Sequence, residues 1–142
     1  MTTLTEELAL LLDEYGVGTY RPEEAGGTLF LHALPDAPDV ALAIAPYGSP
    51  GEADSRNPWT EASVQLRARS TRADARPGEV LCQAAHDALH GAGMRHMPGG
   101  TWLQLAVGLQ SGPQYIGRDQ GGRHEFTCNV RVEYRHPTVH RP

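Results

Sequence analysis

The sequence predicts an α+β fold: a mainly antiparallel or mixed sheet with two helices packed on one face. Three observations carry this. Residues 4–15 and 77–90 place apolar side chains at helical spacing. The segments between and after them alternate apolar and polar residues, as half-buried strands do. The connections between those segments are short, which favours antiparallel pairing and a two-layer arrangement over a wound parallel sheet. At 142 residues, without a linker or internal repeat, the chain fits a single domain. A domain of this size buries roughly 68–70% of its unfolded surface.

The first helix covers about residues 4–15. Thr3 is its N-cap and Glu6 the capping-box partner, while Leu4, Leu8, Leu11, Leu12 and Tyr15 form the apolar stripe. Gly16 and Gly18 stop it. Thr28–Leu34 and Asp39–Ala45 read as strands joined by the turn-like Pro35-Asp36-Ala37-Pro38. The second is apolar on both faces, as in a strand covered on both sides, by its own chain or by a neighbouring subunit. Residues 46–60 lack periodicity and form a long exposed loop ending at Trp59; loops of that length are usually functional or disordered.

Ala62–Ser70 alternates, with Val64, Leu66 and Ala68 inward and Gln65, Arg67 and Arg69 outward. The second helix starts near Pro77, buries Leu81, Ala84, Ala85, Ala88 and Leu89, and stops at Gly91 and Gly93. Thr101–Leu109 is expected to face inward through Leu103, Leu105, Val107 and Leu109. A short strand over Pro113–Asp119 turns through Gly121 and Gly122 into the last strand, His124–Tyr134. That strand faces inward through Phe126, Cys128, Val130, Val132 and Tyr134. The tail 136–142 is too rich in proline to continue a sheet and is expected to be flexible.

Composition bounds function by exclusion. Seventeen acids against 12 bases give a net charge of −5, which argues against a general nucleic-acid binder. All 12 bases are arginine, a bias consistent with GC-rich coding. No apolar run reaches the roughly 18 residues of a membrane span, and the N-terminus carries acids where a signal peptide has bases. Cys82 and Cys128 are neither a disulfide framework nor a CxxC pair; they read as small buried residues in a reducing compartment. Charge is unevenly distributed. Residues 1–61 hold 11 acids and 2 arginines, residues 62–142 hold 6 acids and 10 arginines, a polarity suited to head-to-tail contact between copies.

Catalytic patterns are weak. His86 and His90 share a helix face at i and i+4, with Cys82 one turn earlier, so a small metal-dependent enzyme using these three is the alternative from another class. Asp87 stands where a zinc protease has its general-base Glu, and no further ligand is evident; helix-surface histidines are the simpler reading. No GxSxG elbow occurs, and the glycine pairs do not open helices as phosphate loops do. No catalytic residue, metal or cofactor is therefore assigned. Of the two tryptophans, Trp102 reads as sheet packing and Trp59 as an interaction anchor.

The richest segment is Pro113–Val130. It fits a hairpin pattern P-x-x-[LI]-G-x-D-x-x-G-R-x-x-[FY]-x-x-N through Pro113, Ile116, Gly117, Asp119, Gly122, Arg123, Phe126 and Asn129. Here the chain resembles the tail terminator or minor capsid proteins of long-tailed bacteriophages. Leu31–Tyr47, the Val64–Arg69 strand and the alanine-rich helix with Leu81 and Leu89 resemble the same family in the same order, so the likeness covers about residues 4–135. Residues 91–112 show no such motif.

The resemblance implies a structural virion protein that closes the tail tube as a ring of about six copies and joins it to a head–tail connector or stopper protein. Sheets would form a continuous wall around a lumen through which double-stranded DNA passes without specific binding, with assembly in the host cytoplasm. Another neck or stopper component of a phage or phage-like particle is the nearest alternative. The residues offered for subunit or partner contact are Tyr47, Trp59, Arg67, Arg69, Arg118, Asp119, Arg123 and Asn129. For Arg118, Asp119 and Arg123 two roles fit the sequence: directional pairing across a subunit boundary, or closure of their own turn.

Overall fold

The structure, a computed structural model, describes residues 2–49 and 51–142; Met1 and Pro50 lie outside that description. Two helices pack on a mixed, curled seven-stranded sheet, an α+β fold. The elements are α1 (Leu4–Glu14), β1 (Leu29–Leu31), β2 (Ala41–Pro46), β3 (Trp59–Arg69), α2 (Arg76–Leu89), β4 (Gly93–His96), β5 (Trp102–Gly108), β6 (Gln114–Arg118) and β7 (His124–Arg135). The strand order is β1-β2-β3-β7-β5-β4, with β6 added to β7.

Helix α1 begins as its sequence dictates: the Thr3 hydroxyl accepts the Glu6 N–H at 3.2 Å. Leu8, Leu11 and Leu12 are wholly buried, each contributing about 1.5–3 kcal/mol of transfer free energy. The sheet curls far enough for α1 to touch both of its ends. One side of the helix meets β1 and β2. On the other, the buried Glu7 carboxylate accepts the Thr101 N–H at 2.9 Å and Glu14 pairs with Arg95 of β4 at 2.6 Å. Helix α2 lacks a side-chain cap on its own N-cap residue; instead the buried Ser70 hydroxyl accepts the Gly78 N–H at 3.0 Å and donates to the Asp74 carbonyl at 2.6 Å.

The backbone of the fold is the β3–β7 ladder, paired from Trp59↔Arg135 to Arg69↔Glu125. Its even-numbered residues, including Val64, Leu66, Cys128 and Val130, enter the core under both helices, as their alternation requires.

Four expectations are corrected. The strand expected over Thr28–Leu34 is only Leu29–Leu31, ending where His32 adopts φ 69°, and it runs parallel to β2. Pro35–Pro38 is therefore part of a crossover, unusually short for a parallel pair. In β5 a bulge between Leu103 and Leu105 flips the alternation, so Leu103 and Ala106 are buried while Leu105 is 38% exposed. Strand β4 was not foreseen in 91–112; its pairing with β5 supplies what its short, half-buried sequence does not. In α2 the buried line runs through Cys82, Ala85, His86 and Leu89, with Leu81, Ala84 and Ala88 only partly covered, because the sheet beneath presents Cys128 and Gly108 to that line.

The tail does not extend β7. His136 donates its N–H to the Pro58 carbonyl at 2.6 Å, and the Arg141 guanidinium bonds the Asn57 and Trp59 carbonyls at 2.7 and 2.8 Å. This anchors 136–142 to the start of β3. No helix is long and apolar enough to cross a membrane among the described residues.

Candidate assembly surfaces

The 113–124 hairpin is built by its motif residues. Asp119 receives the Arg123 N–H at 2.8 Å and its guanidinium Nε at 3.1 Å, closing the turn with one carboxylate. Those hydrogen bonds, the backbone one foremost, hold the Asp119 carboxyl below the usual range. Gly122 takes φ 82°, a left-handed conformation that a side chain resists. The Arg123 side chain, 12% exposed, then reaches the crossover: it donates to the Asp36 carbonyl at 2.6 Å and pairs with Asp39 at 3.4 Å and Asp36 at 3.5 Å. Of the two roles open for this pair, the structure shows turn closure, with Arg123 bridging onward to residues 36–39.

Arg69 lies on the outward face of β3, as its alternation indicates, yet it is only 3% exposed because the crossover folds over it. Its Nε donates to the Asp39 carbonyl at 2.9 Å, and one Nη2 serves the Pro35 and Pro38 carbonyls at 2.7 and 2.6 Å. Burial, and next to it the Arg123 charge, lower its pKa from the ordinary arginine value. All these donors act inside its own chain. The crossover residues Asp36 and Asp39 carry no local sequence signal of their arginine partners, which lie 30 or more residues further along the chain.

The other candidates remain at the surface. Arg67 pairs with Glu125 at 3.6 Å across the β3–β7 ladder, and Asn129 stands opposite Gln65. Tyr47 is 53% exposed just beyond β2. Arg118 donates to the Gly122 carbonyl at 3.1 Å and the Arg72 carbonyl at 3.4 Å, while Arg72 Nε donates back to the Gly121 carbonyl. Arg72, unmarked by the sequence reading, thus ties the hairpin tip to the β3–α2 loop. Trp59 is 43% exposed and lines an open cavity of about 370 Å³ with Glu52, Asp54, Glu61, Gln104 and Glu133. Asp54 organises the adjoining loop by accepting the Arg56 and Asn57 N–H groups at 2.7 and 3.0 Å. Those bonds lower its pKa to about 2.

The Cys82, His86 and His90 alignment does not converge. Cys82 Sγ turns to Cys128 Sγ at 3.6 Å, both free and buried. The Cys128 thiol and burial push the Cys82 thiol well above its ordinary pKa, away from the thiolate a metal needs. His86 is buried rather than on the helix surface. Its Nδ1 lies 3.2 Å from Asp87 and its ring stacks on His90 at 5.6 Å and against Gly108. His90 Nδ1 accepts the Gly108 N–H at 2.9 Å. No three His, Cys, Asp or Glu side chains are grouped to hold a metal among the described residues.

The exposed candidates are thus aromatic and charged side chains carried on the sheet and its loops. The family model of the bacteriophage tail terminator protein matches residues 11–135. The chain belongs to the bacteriophage tail terminator family. No curated protein matches it. The matched span begins within α1 and ends with β7, so it takes in the crossover, the Trp59 loop and the Asp119–Arg123 hairpin. It also covers β4 and β5, where no motif was legible. Tail terminators are structural proteins of the virion tail, which places the chain in that class.

Proposed function

We propose that this tail terminator acts as a ring of about six copies that caps the end of the tail tube and joins it to the head–tail connector or stopper protein. The observation that carries the reading is the family match across residues 11–135. The fold supports it in physical terms. A ring wall needs rigid subunits with contact groups on opposite sides, and the β3–β7 ladder supplies a stiff board with Trp59 at one end and the hairpin tip at the other. Tyr47, Trp59, Arg67, Arg118 and Asn129 are the side chains left available for subunit or partner contact. Arg69, Asp119 and Arg123 serve the ring indirectly, by fixing the surfaces around them.

The DNA path follows from the same distribution. A lumen that gripped phosphates would hold the genome, since each arginine–phosphate contact adds a salt-dependent increment to affinity. Arg69 and Arg123 are engaged within the chain and Arg67 has Glu125, so we place double-stranded DNA in an acidic or neutral channel without specific contacts. Assembly takes place in the host cytoplasm, with the free protein monomeric until a tube end templates the ring.

The test is negative-stain microscopy of the protein alone at high concentration and with tail tubes. Rings of about six at tube ends are expected. Uncapped tubes, or strictly monomeric subunits on them, would overturn the reading.

A further inference from the structure

Strand β6 is an edge of the sheet: it pairs with β7 on one side, and no strand pairs with its other side among the described residues. Its exposed groups are apolar and basic. Tyr115 is 54% exposed, Ile116 50%, and Arg118 follows them. Neither Arg118 nor its neighbour Arg72 has a carboxylate within ion-pair distance among the described residues; both use part of their donor sets on carbonyls and leave the remainder free. The bulge between Tyr115 and Gly117 breaks the regular ladder, so the edge is poorly shaped for adding another strand. Side chains, not strand pairing, must do the recognising.

The opposite chemistry stands at the far end of the same board. Arg118 pairs with His124 at the first residue of β7, and Trp59 pairs with Arg135 at its last. Over the 12 residues of β7 that is a separation of roughly 35 Å. Trp59, Glu52 and Glu133 line the cavity there together, and neither carboxylate has an arginine partner among the described residues, whereas Glu61 is paired with Arg131 at 3.4 Å. An aromatic face flanked by free carboxylates is a receptor for a guanidinium, through cation–π and charge-assisted hydrogen bonds together. Within one copy the two patches cannot meet.

We infer that the β6 edge of one copy docks on the Trp59 cavity of the next, Arg118 entering between Glu52 and Glu133 while Tyr115 and Ile116 cover the rim. The occupant is a second copy of this chain, chosen by charge complementarity between a cationic edge and an anionic cavity that every copy carries once each. Such a contact is heterologous, so it propagates in one direction and closes when the rotation per copy permits. The inference rests on the ring proposed above and specifies which surfaces make it.

Charge reversal in the full chain tests it. Arg118→Glu and Glu133→Arg should each reduce ring-capped tube ends about tenfold or more, as for close interfacial charge pairs, with far-ultraviolet circular dichroism and melting of the free protein unchanged. The double variant restores the pair with its polarity swapped and should recover capping to within about threefold of the natural chain. Single variants that cap normally would overturn the pairing while leaving the terminator ring intact. Single variants that are folded and fail, with a double variant that fails as badly, would overturn it too, by showing that each surface meets a different protein. If the natural chain caps no tubes, the ring reading falls and this pairing with it.

Discussion

Residues 32–40 and residues 47–58 both connect strands, both contain prolines and acids, and neither has periodic apolar residues. The molecule treats them differently. The first is covered by two arginines reaching from other elements: Arg69 of β3 and Arg123 before β7 donate to the carbonyls of Pro35, Asp36, Pro38 and Asp39. The second is organised mainly from within. Ser49 bonds the Gly51 carbonyl and Asp54 accepts the amides of Arg56 and Asn57, while contacts from outside fall at its two ends: Ser63 of β3 at Tyr47 and Gly48, and Arg141 and His136 at Asn57 and Pro58. Similar composition thus leads to different anchoring: the middle of the first loop is fixed by donors placed elsewhere in the sequence, the middle of the second by its own side chains. The pinned loop connects the parallel β1–β2 pair, and the self-contained one leads into β3 at Trp59.

The largest test of this contrast is Arg69→Ala. It leaves three carbonyls under the crossover without their donor, and a stability loss of about 3 kcal/mol is expected in urea denaturation. Faster amide exchange should be confined at first to residues 32–40. A loss below about 0.5 kcal/mol, the range of ordinary surface changes, would show that the crossover holds itself.

Arg123→Ala should be milder. Its acceptors on the crossover include the fully exposed Asp36 carboxylate, so solvent can replace much of what is lost. Exchange should quicken at both 36–39 and 119–123, because one side chain joins the two segments. A drop in melting temperature as large as for Arg69→Ala would reverse the ranking.

Assembly sharpens the other side of the comparison. In the free protein, amides of 51–57 should exchange faster than those of 32–40; within the ring on tube ends they should slow by about tenfold, an opening cost of local size. Equal protection in both states would remove the loop from the interface.

The smallest effect concerns pH. The folded-state pKa of Asp54 is lowered to about 2 from 3.8, so its turn is favoured above the unfolded value and that preference is lost as pH falls through the folded one. The Arg56 and Asn57 amide resonances should therefore titrate with a midpoint near 2. A midpoint near 3.8 would mean the turn is unformed in solution.

Much of the architecture could be read from residue order. Thr3, Glu6 and the leucine stripe define α1, and the strict alternation of Phe126, Cys128, Val130 and Val132 defines β7, because capping and period-2 burial are local rules. The β5 error came from the same rule applied through a bulge: Gln104 is the extra residue, and nothing in Leu-Gln-Leu-Ala-Val announces it. His86 was placed at the surface because helical spacing alone does not say how wide a face the sheet covers; Gly108, lacking a Cβ, lets the ring lie against the strand, where any Cβ would meet it. Trp59, Tyr47 and Arg118, offered by the sequence as contact residues, are exposed in the structure. Arg69 and Arg123 spend their donors on crossover carbonyls within the chain, partners that local sequence patterns do not specify.

Residue order alone was enough for the helices, the long strands and the core-facing residues of the β3–β7 ladder, all consequences of interactions between residues a few positions apart. The closed fold alone reveals that β1 runs parallel to β2, that α1 reaches the far side of the curled sheet through Glu7 and Glu14, and that Arg69 is roofed over by a loop some thirty positions earlier. The physical reason is range. Periodicity and capping are written into neighbouring residues, whereas a guanidinium satisfies whichever carbonyls the fold brings to it, and that choice exists only once the chain has closed on itself.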